Sequence, residues 1–177
     1  MAINKPNGVA VQGGSKIARS LDKLLSRMRD DEETKIKLVH RLDKDTSGVM
    51  VVAKSRWSAM EMSTLFKKAR TSMLSKYYLS FLCGTPLTFL GKIKQNVMKV
   101  SGPHGERVRG LDPEKDAQLF DKSRLAVTEY EILQSSGKSA SLGLFSPKTG
   151  RTHQIRSHAR DALGTPILGK KKKIPTF

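Results

Sequence analysis

Nine consecutive residues, His40-Arg41-Leu42-Asp43-Lys44-Asp45-Thr46-Ser47-Gly48, hold two carboxylates, two cations, an imidazole and two hydroxyls, with Leu42 as the one apolar anchor. A carboxylate held in such a loop can add to a carbon or take a proton, provided it stays ionised. The same residues also make an ordinary turn, in which Asp43 or Asp45 bonds nearby backbone and the cations are solvated. On residue chemistry alone that plainer reading comes first.

The loop has a rigid support. Val49-Met50-Val51-Val52-Ala53 is a run of five apolar, mostly β-branched residues after a glycine, which predicts a buried strand. A polar loop delivered onto a sheet edge is where reactive groups are usually placed. Upstream, Lys5-Pro6-Asn7-Gly8 predicts a turn, because proline fixes φ and Asn-Gly accepts positive φ. Taken alone, Lys5 is an ordinary solvated lysine. Ile17, Leu21, Leu24, Leu25 and Met28 recur at helical spacing and predict an amphipathic helix over 15–29. Residues 30–37 form a charged connector, and a second helix over 56–70 turns Met62, Leu65, Phe66 and Ala69 inward, with Lys67, Lys68 and Arg70 on its polar face.

The second half is richer in strands. Residues 75–84 are aromatic and apolar and end in glycine. Tyr77 and Tyr78 must point to opposite sheet faces; packing on the core suits Tyr77 better, though pattern alone favours a core role for Tyr78 as well. Residues 85–123 predict a hairpin and a loop, and Lys92, Lys94, Lys99, Arg107, Arg109 and Lys115 make them a basic arm suited to RNA. Residues 125–133 alternate as a strand, and 140–145 are its antiparallel partner across a short turn. Next, Thr149 or Thr152 caps a cationic helix that Gly164 ends.

Composition limits the partners. The balance of 33 Lys plus Arg against 16 Asp plus Glu gives a net charge of +17 in 177 residues, which attracts polyanions, nucleic acid above all. A membrane is the weaker partner, since the sequence has no long apolar run and no basic amphipathic helix with an aromatic face. Cys83 is the single cysteine, which excludes an internal disulfide and suits a reducing compartment. Histidines at 40, 104, 153 and 158 show no metal-ligand spacing, so no metal is expected. A hydrophobic fraction of 37% fits one globular domain over 1–177.

His40-Arg41-Leu42-Asp43, followed by Thr46-Ser47-Gly48, resembles the signature loop of the RluA-type pseudouridine synthases. Three further segments resemble the family in its order. They are Asn4-Lys5-Pro6-Asn7-Gly8 with Val11 and Gly14 nearby, Lys76-Tyr77-Tyr78 leading to Gly84, and Thr149-Gly150-Arg151-Thr152-His153-Gln154-Ile155-Arg156-Ser157-His158 with the Gly164-Thr165-Pro166-Ile167-Leu168-Gly169 turn. The resemblance implies an α+β pseudouridine synthase fold, with a mixed, largely antiparallel sheet, a central cleft and flanking helices. It implies Asp43 as the essential carboxylate, Arg156 as its basic partner and Tyr78 as the aromatic residue under the base. Arg41, His40, Lys5, Arg151 and His153 are expected on the RNA-binding and base-flipping side.

The implied reaction is isomerisation of uridine to pseudouridine without cofactor, most closely as in the large-subunit rRNA branch of bacterial or mitochondrial members. A mitochondrial location is expected, with a bacterial-type cytoplasm as the alternative. The resemblance stops at residues 170–177, and almost nothing precedes the first motif, so the domain is expected to be trimmed at both ends. Two other readings use the same residues: an RNA-binding ribosome-assembly factor with little catalysis, and, more weakly, a base-excising glycosylase.

Overall fold

The computed structural model of the chain describes residues 1–14, 17, 19–28, 35–67, 74–102 and 105–169. The chain divides into two compact units, Met1–Leu74 and Ser75–Phe177. Both are built on antiparallel sheets, and helices are few and short, an α+β arrangement.

In the first unit β1 (Ala2–Lys5) and β2 (Lys37–Leu38) flank β3 (Gly48–Ala53). β1 runs antiparallel to β3 from Ala2 opposite Val51 to Lys5 opposite Gly48. The last residue of β1 therefore lies beside the glycine that closes the polar loop. Met50, Val52 and Ala53 are buried, as the apolar run predicts, but Val49 is 70% exposed. α2 (Arg56–Lys67) follows, with Met62, Leu65 and Phe66 partly buried. The expected continuation to Ala69 and Arg70 lies outside the described residues.

The first helix is shorter than its periodicity predicts. α1 covers only Leu21–Ser26, because Ala10 bridges to Ser20 and Gly14 to Ile17. Extended backbone thus occupies part of the stretch expected to be helical. Leu25 is buried, but Leu24 and Met28, expected on the inward face, are exposed.

The second unit is one five-stranded sheet. β4 (Tyr78–Cys83), β5 (Leu90–Gly102), β6 (Gly105–Gly110), β7 (Arg124–Ser136) and β8 (Ala140–Pro147) lie in the order β4-β8-β7-β5-β6. All pairings between these strands are antiparallel, in keeping with the largely antiparallel architecture expected. The alternation read in β7 holds, for Thr128, Tyr130 and Ile132 are buried. Tyr130 and Ile132 join Leu82, Ile93, Phe145 and Ala159 in the core. Two aromatic rings lie over glycines: a Cβ at Gly143 would stand 2.9 Å from Phe145 Cε2, and one at Gly91 would stand 3.0 Å from the Tyr130 ring. Tyr77 is not a core residue. It precedes the strand and is 64% exposed, and it is Tyr78, opposite Phe145, that packs on the core.

After β8 the chain forms α3 (Gln154–Ser157), which runs into a π-helical turn over His158–Ala162. Neither threonine caps it. The residue before α3 is His153, in the left-handed region at φ 51°, ψ 26°. Gly164 (φ 67°) ends the segment, and Pro166 and Leu168 then bond the backbone of β4.

Candidate active site

The first unit holds the polar loop through a buried lysine. Lys5 is 1% exposed, and its ammonium donates to the carbonyls of Pro6 (2.9 Å), Val9 (2.8 Å) and Lys44 (3.1 Å). Three protons meet three acceptors. Burial lowers the Lys5 pKa, and the negative charges of Asp45 and Asp43 oppose that shift. Lys44 O also accepts the Gly8 N–H at 2.9 Å, so the Lys5–Gly8 turn and the loop are bonded at two points. Lys5 is therefore not a solvated lysine, and all three of its protons are used inside the protein.

His40 anchors the other end of the loop. Its Nε2 accepts the Val51 N–H at 2.8 Å, which leaves the ring proton of the neutral imidazole on Nδ1. β2 ends at Leu38, opposite Val52, so the imidazole takes the β3 amide one residue beyond the last strand pair. The same ring stacks on Phe66 of α2, with centroids 4.3 Å apart. Between these anchors Leu42 is buried, Asp43 half-buried and Arg41 exposed. The Thr46 N–H donates to Asp43 O at 3.0 Å, closing a turn around Lys44 and Asp45. A half-buried carboxylate on a loop pinned at both ends is suited to chemistry that needs a fixed geometry.

In the second unit Tyr78 opens β4, half-buried. Arg156 sits in α3, also half-buried, and its neighbour Ile155 packs on the same core cluster as Tyr78. Arg151 donates from Nε to Leu125 O at 3.1 Å, and His153 is half-buried in its left-handed conformation. Of the basic arm, four members are paired with carboxylates: Lys92 with Glu129 (3.0 Å), Lys99 with Glu106 (3.3 Å), Arg109 with Asp116 (2.6 Å) and Lys115 with Asp112 (4.0 Å). Lys94 and Arg107 are exposed to solvent.

Beneath α3 lies a buried polar cluster that residue patterns did not reveal. Gln154, Thr128, His158 and Ser157 are all buried. Gln154 Nε2 donates to Val127 O and Thr128 Oγ1, both at 2.9 Å, while its Oε1 accepts from Thr149 Oγ1 at 2.7 Å and from the Arg151 N–H at 2.9 Å. His158 Nδ1 meets Thr128 Oγ1 at 2.9 Å. Burial drives the His158 pKa down to about 4 against a smaller opposing pull from Asp161. Thr149, expected as a helix cap, instead accepts the Val127 N–H at 2.9 Å and donates to Gln154.

An open pocket of about 580 Å³ is lined by Gln95, Arg109, Leu111, Asp112, Glu114 and Asp161 among others, and no motif residue lines it. Among the described residues no three His, Cys, Asp or Glu side chains converge as a metal site requires. Nor is any described helix long and apolar enough to cross a membrane.

Residues 1–161 match the family model for RNA pseudouridylate synthase. The ribosomal large subunit pseudouridine synthase C of Rickettsia bellii is 38% identical over 172 residues, which is 97% of this chain and 53% of that protein. The mitochondrial RNA pseudouridine synthase 4 of Arabidopsis thaliana is 34% identical over 97% of this chain and 38% of its own length. Among solved structures, human RNA pseudouridylate synthase domain containing 4 superposes with a TM-score of 0.72 at 27% identity, over 95% of this chain and 63% of that one. The chain thus spans about half the length of the bacterial relative and a smaller share of the plant one.

Proposed function

The chain belongs to the RNA pseudouridylate synthase family, and from that membership we propose that it isomerises uridine to pseudouridine in structured RNA, with large-subunit ribosomal RNA as the substrate class. The single observation that carries the reading is the half-buried Asp43 on a loop that Lys5 and His40 hold in place, where the sequence resemblance puts the family's carboxylate. The +17 charge supports a polyanionic partner. The names of the relatives support the ribosomal substrate and either a mitochondrial or a bacterial cytoplasmic location, and we favour the mitochondrion.

The chemistry breaks the C1′–N1 bond, turns the freed uracil and forms C1′–C5, after which the proton on C5 leaves. Asp43 starts it, either by adding to C1′ or by taking a ribose proton. A carboxylate in a site closed to water needs a fixed cation, and Arg156 has the permanent charge and two-pronged geometry for that role. Tyr78 stacks under the base and serves the departing C5 proton. A helical uridine must be flipped out to react, at a cost of about a few kcal/mol. Arg41, exposed on its loop, would fill the gap it leaves, and Arg151 and His153 would contact the RNA. Lys5 and His40 support catalysis through the loop.

Purified protein with unmodified large-subunit rRNA should give pseudouridine, detected by release of tritium from C5 of labelled uridine. Asp43→Asn should lower the rate at least ~10³-fold while leaving RNA binding intact. A wild-type rate in Asp43→Asn would refute the assignment.

A further inference from the structure

The proposed chemistry uses Arg156 but leaves unexplained what holds it. α3 is a single turn of four residues, entered from a left-handed His153 with no side-chain cap. One turn does not sustain itself, since helix nucleation is unfavourable and short helices borrow their stability from packing. Side-chain bonds to β7 supply what the helix lacks. Gln154 is 5% exposed, and its two amide protons and its oxygen are all used, on Val127, Thr128, Thr149 and Arg151. A fully satisfied amide has only one orientation that fits, because turning it over would set donors against donors. On the other side of Arg156, Ser157 Oγ donates to Asp161 at 3.0 Å and His158 reaches Thr128. Arg156 is therefore flanked in sequence by side chains fixed to the sheet or to the π-helical turn.

We propose that Gln154 is a positioning residue for the reaction: by bolting α3 to β7 it sets where the Arg156 guanidinium stands. The inference rests on Arg156 being the cation of the site. A purely apolar contact at this position would fill the same space without fixing the angle of the turn. Four directional bonds fix both.

The test measures single-turnover rates on unmodified large-subunit rRNA with tritium at C5 of uridine, alongside the RNA Kd and the melting temperature. Gln154→Leu should lose about 100-fold in rate, the effect of misplacing a group by about an ångström, with the Kd unchanged within about threefold. Thr149→Val, a milder change that keeps the fold if Gln154→Leu does not, removes one of the four bonds that hold the Gln154 amide along with the acceptor for the Val127 N–H, and should cost about tenfold in rate. Gln154→Glu keeps the acceptor oxygen but donates only when protonated, so its rate relative to wild type should climb as pH is lowered from 8 to 6. A merely structural glutamine would lower the melting temperature and leave the rate, measured well below it, and its pH profile at wild-type values; that result overturns the proposal. Arg156→Ala separates the two levels. If it runs at the wild-type rate, the reading of Arg156 is wrong. If it is inactive while Gln154→Leu and Thr149→Val are normal, only the positioning role is refuted.

Discussion

Lowering the pH should loosen the second unit through one buried imidazole. His158 is fully buried, its Nδ1 is bonded to Thr128, and its Nε2 has no partner among the described residues. Its pKa falls from 6.5 to about 4 because burial penalises the charged ring more than Asp161 favours it. Between those two values the unfolded chain binds a proton that the folded chain refuses. Stability contributed by the neutral ring is thus complete above pH 6.5 and is lost as pH falls towards 4. The full difference is about 3 kcal/mol, and about 2 kcal/mol of it is gone by pH 5. Other groups titrate in this range, so the comparison is with His158→Gln, which cannot take up the proton. Urea unfolding of the second unit, followed by hydrogen exchange of the β7 and β8 amides, should show wild type losing about 2 kcal/mol more than His158→Gln between pH 8 and pH 5. An NMR titration supplies the direct check, since the imidazole resonance missing from the variant should stay unshifted down to about pH 5. Equal pH slopes for the two proteins, or a His158 resonance that titrates near 6.5, would refute the reasoning.

Three further outcomes follow from local geometry. Lys5→Met should strand the carbonyls of Pro6, Val9 and Lys44, destabilise the first unit by ~2–4 kcal/mol in denaturant unfolding and lower the rate of the proposed isomerisation as the loop loosens. A variant as stable as wild type would show the ammonium to be dispensable. At position 153, glycine should be about 1 kcal/mol more stable than alanine, because both remove the imidazole but only alanine bears the left-handed penalty; equal melting temperatures would contradict this. Gly143→Ala would place its Cβ 2.9 Å from the fully buried Phe145 ring, and chemical unfolding should register a loss of ~1–3 kcal/mol.

The sequence spoke most clearly where local chemistry and local structure coincide. The polar loop, β3 and the β7–β8 hairpin follow from apolar runs, alternation and a short turn, all set by near neighbours. Helical periodicity in 15–29 misled because spacing marks a stripe without fixing how far the helix extends, and bridges from Ala10 and Gly14 cut it short. Tyr77 and Tyr78 could not be separated by composition; the register that sets Tyr78 against Phe145 decides between them. β5 hid its periodicity because Leu90–Val97 pairs with β7 whereas Val97–Gly102 pairs with β6, so its surroundings change along its length. The cluster under α3 was out of reach for a different reason. Its bonds join Thr128 to Gln154 and His158 across separations of 26 and 30 residues, which no window of near neighbours reports. Thr149 looked like a cap because a hydroxyl before a helix usually is one, but here its partners are a strand amide and a buried side chain.

The Lys5 ammonium has a consequence for anyone who would rebuild this loop elsewhere. The floor under Lys44 is laid 39 positions earlier in the chain, so a graft of residues 40–48 alone would arrive without its foundation. A transplant has to carry Lys5 through Val9 together with the strand that seats them, which makes the polar loop a two-piece cassette.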